Sequence, residues 1–141
     1  MASKRLSISA NGTNYYYIDN QSDEEIADIK RIKVNCDQAA DVDIYRNPAE
    51  NTQGTEKEIQ SASASEDYNE IVFRHGGDYS GSSPYMESLI TSSRSANFSE
   101  GNIDDIPATI SLGPGDSLAV RIQETSGNGG KTSFRAAIIE R

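Results

Sequence analysis

The chain has no tryptophan, one cysteine (Cys36), one histidine (His75) and three phenylalanines among 141 residues. Each scarcity removes a class of chemistry. A single cysteine leaves no intrachain disulfide and no thiolate metal cluster. A single histidine excludes sites built on histidine pairs, and no Gly-x-Ser-x-Gly elbow offers a nucleophile for His75 to serve. Long hydrophobic runs are missing too: nothing approaches the roughly 20 apolar residues of a membrane-spanning helix. Met1-Ala2-Ser3-Lys4-Arg5-Leu6 is not followed by the apolar stretch of a secretory signal, so the expectation is a protein made in a cytoplasm and exported, if at all, by release. Positive charge is the other shortage. Thirteen Lys and Arg face 22 Asp and Glu, for a formal charge of −9 that disfavours general nucleic-acid binding.

What is present is extended, alternating structure. Leu6 and Ile8 alternate in a first short strand, and Asn14-Tyr15-Tyr16-Tyr17-Ile18 is aromatic enough for a second. Ile32, Val34 and Cys36 have period two, which makes Cys36 a small core residue. Val42 and Ile44 alternate before Asn47-Pro48, and Ile71 and Phe73 alternate before His75-Gly76-Gly77-Asp78. Near the C-terminus, Ile110 and Leu112, then Leu118, Val120 and Ile122, then Phe134, Ala136 and Ile138 read as a three-stranded antiparallel meander. Its first turn is Gly113-Pro114-Gly115-Asp116, where proline lacks a donor and glycine permits positive φ.

Helix signals are few. Ser22 followed by Glu25 has the form of a capping box, but the period-two pattern that resumes at Ile32 favours a loop. Ser83-Pro84 followed by Met86, Leu89 and Ile90 is the best helix candidate, one or two turns long. Residues 49–70 are polar and read as a long excursion or a weak edge strand. The expected architecture is all-β: a single-domain antiparallel β-sandwich or jelly roll with one short helix at most, spanning residues 7–141 behind an N-terminal arm at residues 1–6. With 35% apolar residues the core is expected to be thin, or completed by neighbouring subunits.

The residues capable of chemistry are scattered. His75 reads as a polar residue ending a strand. The acidic groups, including Asp23-Glu24-Glu25 and Asp37/Asp41/Asp43, lack the spacing of a Ca²⁺ loop, and Asp41 and Asp43 are expected to share a solvated strand face. No catalytic set, metal site or cofactor is expected. The tyrosines are better contact candidates. In an extended Tyr15-Tyr16-Tyr17 the middle ring must point opposite to its neighbours, so at least one ring leaves the core, with another chain as one outlet. Lys4 and Arg5 near the N-terminus, and Lys30, Arg31 and Lys33 on one strand, are local positive spots suited to an acidic protein surface.

The segment Leu112-Gly113-Pro114-Gly115-Asp116-Ser117-Leu118-Ala119-Val120-Arg121-Ile122, with the Ile-rich strand after it, resembles the last strands of small virion β-sandwiches. Val42-Asp43-Ile44-Tyr45-Arg46-Asn47-Pro48, followed by Gln53-Gly54-Thr55, resembles the strand, Asn-Pro stop and Gly-Thr turn of tailed-phage head-decoration (cement) proteins. The resemblance implies a non-enzymatic protein of the virion, made in the host cytoplasm. Such a protein clamps the major capsid protein from the capsid surface, commonly as a homotrimer at threefold positions. Within that reading Lys4, Arg5, Leu6, Tyr15, Tyr16 and Tyr17 are the candidate contacts with capsid or sister subunit. The alternative is a carbohydrate-binding jelly roll of a phage tail, using tyrosine rings and loop carboxylates. A small hydrolase built on His75 is a third, more distant class.

Overall fold

The computed structural model describes residues 2–11, 14–57, 60–61, 70–81, 86–90, 95–97, 109–125 and 131–141. They form fourteen strands: β1 (Ala2–Asn11), β2 (Asn14–Asn20), β3 (Ala27–Cys36), β4 (Ala40–Arg46), β5 (Ala49–Thr52), β6 (Thr55–Lys57), β7 (Gln60–Ser61), β8 (Ile71–His75), β9 (Asp78–Ser80), β10 (Met86–Ile90), β11 (Ser95–Asn97), β12 (Thr109–Leu112), β13 (Ser117–Glu124) and β14 (Lys131–Glu140). There is no helix among the described residues. The first sheet runs β11-β3-β14-β1-β7, with β12 also on β3. The second runs β10-β4-β13-β2-β8-β6, and β5 and β9 make a separate ribbon.

Eight of these strands carry the topology. β1 pairs with β14, β2 with β13, β3 with β12 and β4 with β10, all antiparallel. The chain is thus a nested hairpin rolled into two facing four-stranded sheets, which is a jelly roll. The expected C-terminal meander is corrected by this pairing: β12 and β14 lie in the first sheet and β13 in the second. All three strands turn their apolar faces inward as their alternation requires. Alternation, however, specifies the buried face and not the neighbour.

Gly113-Pro114-Gly115-Asp116 is a turn, as expected, but it carries the chain across the sandwich. Gly113 C=O accepts from Asp116 N–H at 3.0 Å, and Gly115 has φ 80° in the third position of a type II turn. Asn20, 1% exposed, clamps it. Its amide donates to the carbonyls of Leu112 (3.0 Å), Gly113 (3.2 Å) and Glu25 (2.9 Å), while its side-chain oxygen accepts from Ser22 N–H. Ser22 Oγ in turn accepts from Glu24 and Glu25 N–H, so the cap hydrogen bonds form in a loop with no helix behind them.

The second correction concerns the helix expected after Ser83-Pro84. Met86–Ile90 is a strand, registered on β4 from Met86 opposite Ile44 to Ile90 opposite Ala40. Residues 82–85, with the cap and the proline, lie outside the described residues. Three apolar residues in five positions fit a helix or a strand, and the open backbone edge of the buried strand β4 demands a hydrogen-bonding partner.

Between the sheets lie Ile29, Ile32, Val34 and Cys36 of β3, Val42 and Ile44 of β4, Leu118, Val120 and Ile122 of β13, and Phe134, Ala136 and Ile138 of β14. Tyr16 fills the centre, near-parallel to Phe134 (5.3 Å between centroids, 17°) and Phe73 (6.3 Å, 7°). Its hydroxyl meets Thr132 Oγ1 at 2.8 Å, so the one polar atom of this ring is satisfied across the sandwich. Cys36 is buried, as its alternation requires.

At one end Asp28 ties Arg141 and β12 to β3. Its carboxylate accepts from Arg141 Nε and from Ser111 Oγ, both at 2.6 Å. Burial works to raise its pKa, but these hydrogen bonds and the Arg141 and Lys30 charges outweigh it and hold the group below the ordinary carboxylate value. A depressed carboxyl stabilises the fold above its unfolded pKa, near 4, and the gain is lost as pH falls through the folded pKa. Asp28→Asn is therefore expected to cost about 1–2 kcal/mol in urea unfolding at pH 7. The gap to the wild type should close as the pH is lowered through the acid range. A gap independent of pH would show that the charge is not what stabilises this corner.

Candidate functional site

β2 is apolar on both faces, since Tyr16 and Ile18 point into the core while Tyr15 and Tyr17 point out of it. β4 and β13 repeat the pattern, with Tyr45 and Ala119 on the outside. Strands covered on one face alternate apolar with polar residues, whereas near-continuous apolar strands need a cover on each side. The cover here comes from the same chain.

β5 and β6 form one arm of a ribbon and β8 and β9 the other. Thr52 pairs with Asp78 before a bend, and Thr55 pairs with His75 after it. The β6–β8 half extends the second sheet, while the β5–β9 half folds back over that sheet's outer face. The bend needs glycine. Gly76 and Gly77 have φ 77° and 76°, and a Cβ on Gly77 would sit 2.5 Å from the Thr52 carbonyl oxygen. Past the bend, Tyr79 lies on Tyr17 (4.5 Å, 15°) and tilts against Tyr15 (5.7 Å, 56°), and Gly54 N–H donates to its hydroxyl. The strap then reaches Tyr45, whose ring leaves no room for a Cβ on Gly81.

The charges on this face are matched. Arg121 forms an ion pair with Asp43, its direct partner in the β13–β4 register, and lies 5.7 Å from the Tyr45 ring centroid. Asp43 is therefore buried and bridged, which corrects the expectation that it shares a solvated face with the half-exposed Asp41. Arg74 Nη1 is 3.8 Å from Glu50 Oε2, and its guanidinium lies 6.0 Å from the Tyr17 centroid. Burial pushes the Tyr79 hydroxyl up to about 12 and raises Tyr17 too. Both phenols stay protonated at neutral pH and act as hydrogen-bonding groups, not as bases.

The six residues expected at contacts do not form one site. Tyr16 is core. Tyr17 is 7% exposed under Tyr79, so its outlet is within the chain, and Tyr15 stays half-exposed at the cluster's margin. Lys4, Arg5 and Leu6 lie on the first sheet, opposite Ile138, Ala137 and Ala136 of β14, with Lys4 and Arg5 also opposite Ser61 and Gln60 of β7. From Ala2 onward the arm expected at residues 1–6 is continuous with β1. His75 ends β8 at the bend, where burial first and Lys57 second lower its pKa. Among the described residues no group of three or more His, Cys, Asp or Glu is gathered.

Arg74 and Arg121 carry no signal in the sequence, and Tyr45 and Tyr79 stand out there only as two of seven tyrosines suited to contacts. A signal for the face existed in Tyr16-Tyr17-Ile18, Ile44-Tyr45 and Leu118-Ala119-Val120, runs apolar on both faces. No family model matches the chain, and neither a curated protein nor a solved structure matches it.

The strap makes two expectations measurable by urea unfolding. Tyr79→Ala should cost about 3 kcal/mol or more and open residues 49–57 to protease, whereas Tyr79→Phe, which loses one hydrogen bond, should cost about 1 kcal/mol. Gly76→Ala, strained but unobstructed, should cost about 1 kcal/mol, and Gly77→Ala should exceed it by on the order of 2 kcal/mol. Equal costs for the two glycines would contradict the close approach of Thr52.

Proposed function

We propose that the chain is a non-enzymatic virion structural protein that decorates a phage capsid and stabilises it as a symmetric oligomer, with a homotrimer as the expected state. The observation that carries this reading over the carbohydrate alternative is the closed tyrosine face. Glycan recognition needs ring faces open to stack on sugars. Here Tyr17 and Tyr79 stack on each other, and Tyr16 is packed in the core against Phe73 and Phe134. Among the described residues Tyr17, Tyr45 and Tyr79 are used to cover a sheet, which favours a body that works through its strand faces and edges. The all-β jelly roll and the resemblance in Leu112–Ile122 and Val42–Pro48 support the same class.

Mechanistically, a protein that binds only the assembled, expanded shell stabilises it by mass action, and a closed oligomer multiplies one modest contact. Lys4 and Arg5, on the strand nearest the short β7, and the half-exposed Tyr15 are the contacts assigned to capsid or sister subunit.

The test pairs light scattering with sedimentation onto expanded empty shells of tailed phages. The expected outcome is a trimeric mass, saturable shell binding and a higher melting temperature of decorated shells. Lys4→Ala/Arg5→Ala should weaken binding severalfold without unfolding the domain, a milder change than deleting residues that belong to β1. A monomer that ignores shells and binds a glycan array would overturn the proposal.

A further inference from the structure

The jelly roll sorts the charges of this acidic chain. β1, β3 and β14, adjacent in the first sheet, carry seven Lys or Arg (Lys4, Arg5, Lys30, Arg31, Lys33, Lys131, Arg135) against two acids, Asp28 and Glu140. These strands hold a net +5 within a chain of −9, so the rest of the molecule carries −14.

Register gathers much of this charge on one face. Phe134, Ala136 and Ile138 point into the core, so Lys131, Ser133, Arg135 and Ala137 are on the outside of β14. Arg135 lies directly opposite Lys33, and Ala137 lies opposite both Lys30 and Arg5. Arg135, Lys33 and Lys131 are exposed and Lys30 is half-exposed.

A solvated sheet face needs polar residues, but not residues of one sign. Like charges directly across a strand pair destabilise it. With 22 acids in the chain, the rows between these bases hold serine and alanine instead: Ser7 opposite Arg135, Ala137 opposite Lys30. The arginines elsewhere are treated differently. Among the described residues the ion pairs belong to Arg46, Arg74, Arg121 and Arg141, and none to Lys30, Lys33, Lys131 or Arg135.

We infer that the outer face of the first sheet is a docking surface for an acidic protein surface. Charge complementarity selects that partner. Lys33, Lys131 and Arg135 are exposed to meet it, and half-buried Ala137 and Ile139 give the face an apolar strip to bury between them. A nucleic acid is the weaker match, because the remaining −14 repels a long polyphosphate that extends past the patch.

The test uses labelled poly-L-glutamate as the acidic polypeptide, a labelled DNA duplex in parallel, and sedimentation velocity of the protein alone. The intact chain is compared with Lys33→Gln/Arg135→Gln, two exposed positions, and with Glu56→Gln on the other sheet as control. The expected result is polyglutamate binding at about 50 mM salt that weakens on the order of tenfold in the double variant and again at about 200 mM salt, with the control unchanged. No binding, equal binding by the double variant, or tighter binding to DNA would each overturn the inference. So would self-association of the intact chain that the double variant abolishes, since the occupant would then be a second copy. None of these readouts uses capsid shells, so failure of the decoration reading and failure of this surface are separately visible.

Discussion

The mutual contact of Tyr16, Phe73 and Phe134, each ring packed on the other two, is the contact on which the rest of the molecule depends. A chain without tryptophan has few side chains large enough to span two sheets, so the middle of the sandwich is entrusted to this stack. The three rings come from β2 and β8 of one sheet and β14 of the other, and the Tyr16 hydroxyl closes on Thr132 of that opposite strand. Placing Tyr16 inward also fixes the direction of its neighbours. Strand geometry sends Tyr15 and Tyr17 to the outside, where they would stand in water on a sheet whose β4 and β13 already present Tyr45 and Ala119 there.

The strap answers that exposure. The ribbon of β5, β6, β8 and β9 bends at Gly76 and Gly77 so that one half extends the sheet edge and the other lays Tyr79 on Tyr17. An isolated two-stranded ribbon is marginal in water, and this one is held by a buried ring, a hydrogen bond from Gly54 and the Arg74–Glu50 bridge. The two outer faces of the jelly roll therefore differ in kind. One is closed over by aromatic packing with its arginines bridged to carboxylates. The other is an open basic sheet, and this asymmetry suits a body that meets one partner surface in one orientation.

Much of the fold was legible because burial in strands has a local signature. The inward positions of β4, β12, β13 and β14 follow from alternation alone, as do Ile32, Val34 and the buried Cys36 of β3, and the Gly113–Asp116 turn follows from its glycines and proline. Ile29 is inward only because the β3–β14 register shifts before Ile32. The helix after Pro84 and the C-terminal meander were misread for one reason: short apolar runs and inward faces do not say which strand lies alongside. Asp43 was misread in the same way, because its partner Arg121 is 78 residues away in sequence and only adjacent in register.

The sequence by itself determined that the protein is all-β, which residues face inward in most strands, where the chain turns, and that disulfides and histidine pairs within one chain are unavailable to it. These are consequences of residue type and of a two-residue period, and they need no knowledge of distant contacts. Tertiary structure alone decided that β13 crosses to the second sheet, that Tyr17 is covered by Tyr79, and that Lys30, Lys33, Lys131 and Arg135 meet on one face. The physical reason is that strand pairing and sheet covering join segments up to the full chain length apart. No local pattern carries the identity of a partner.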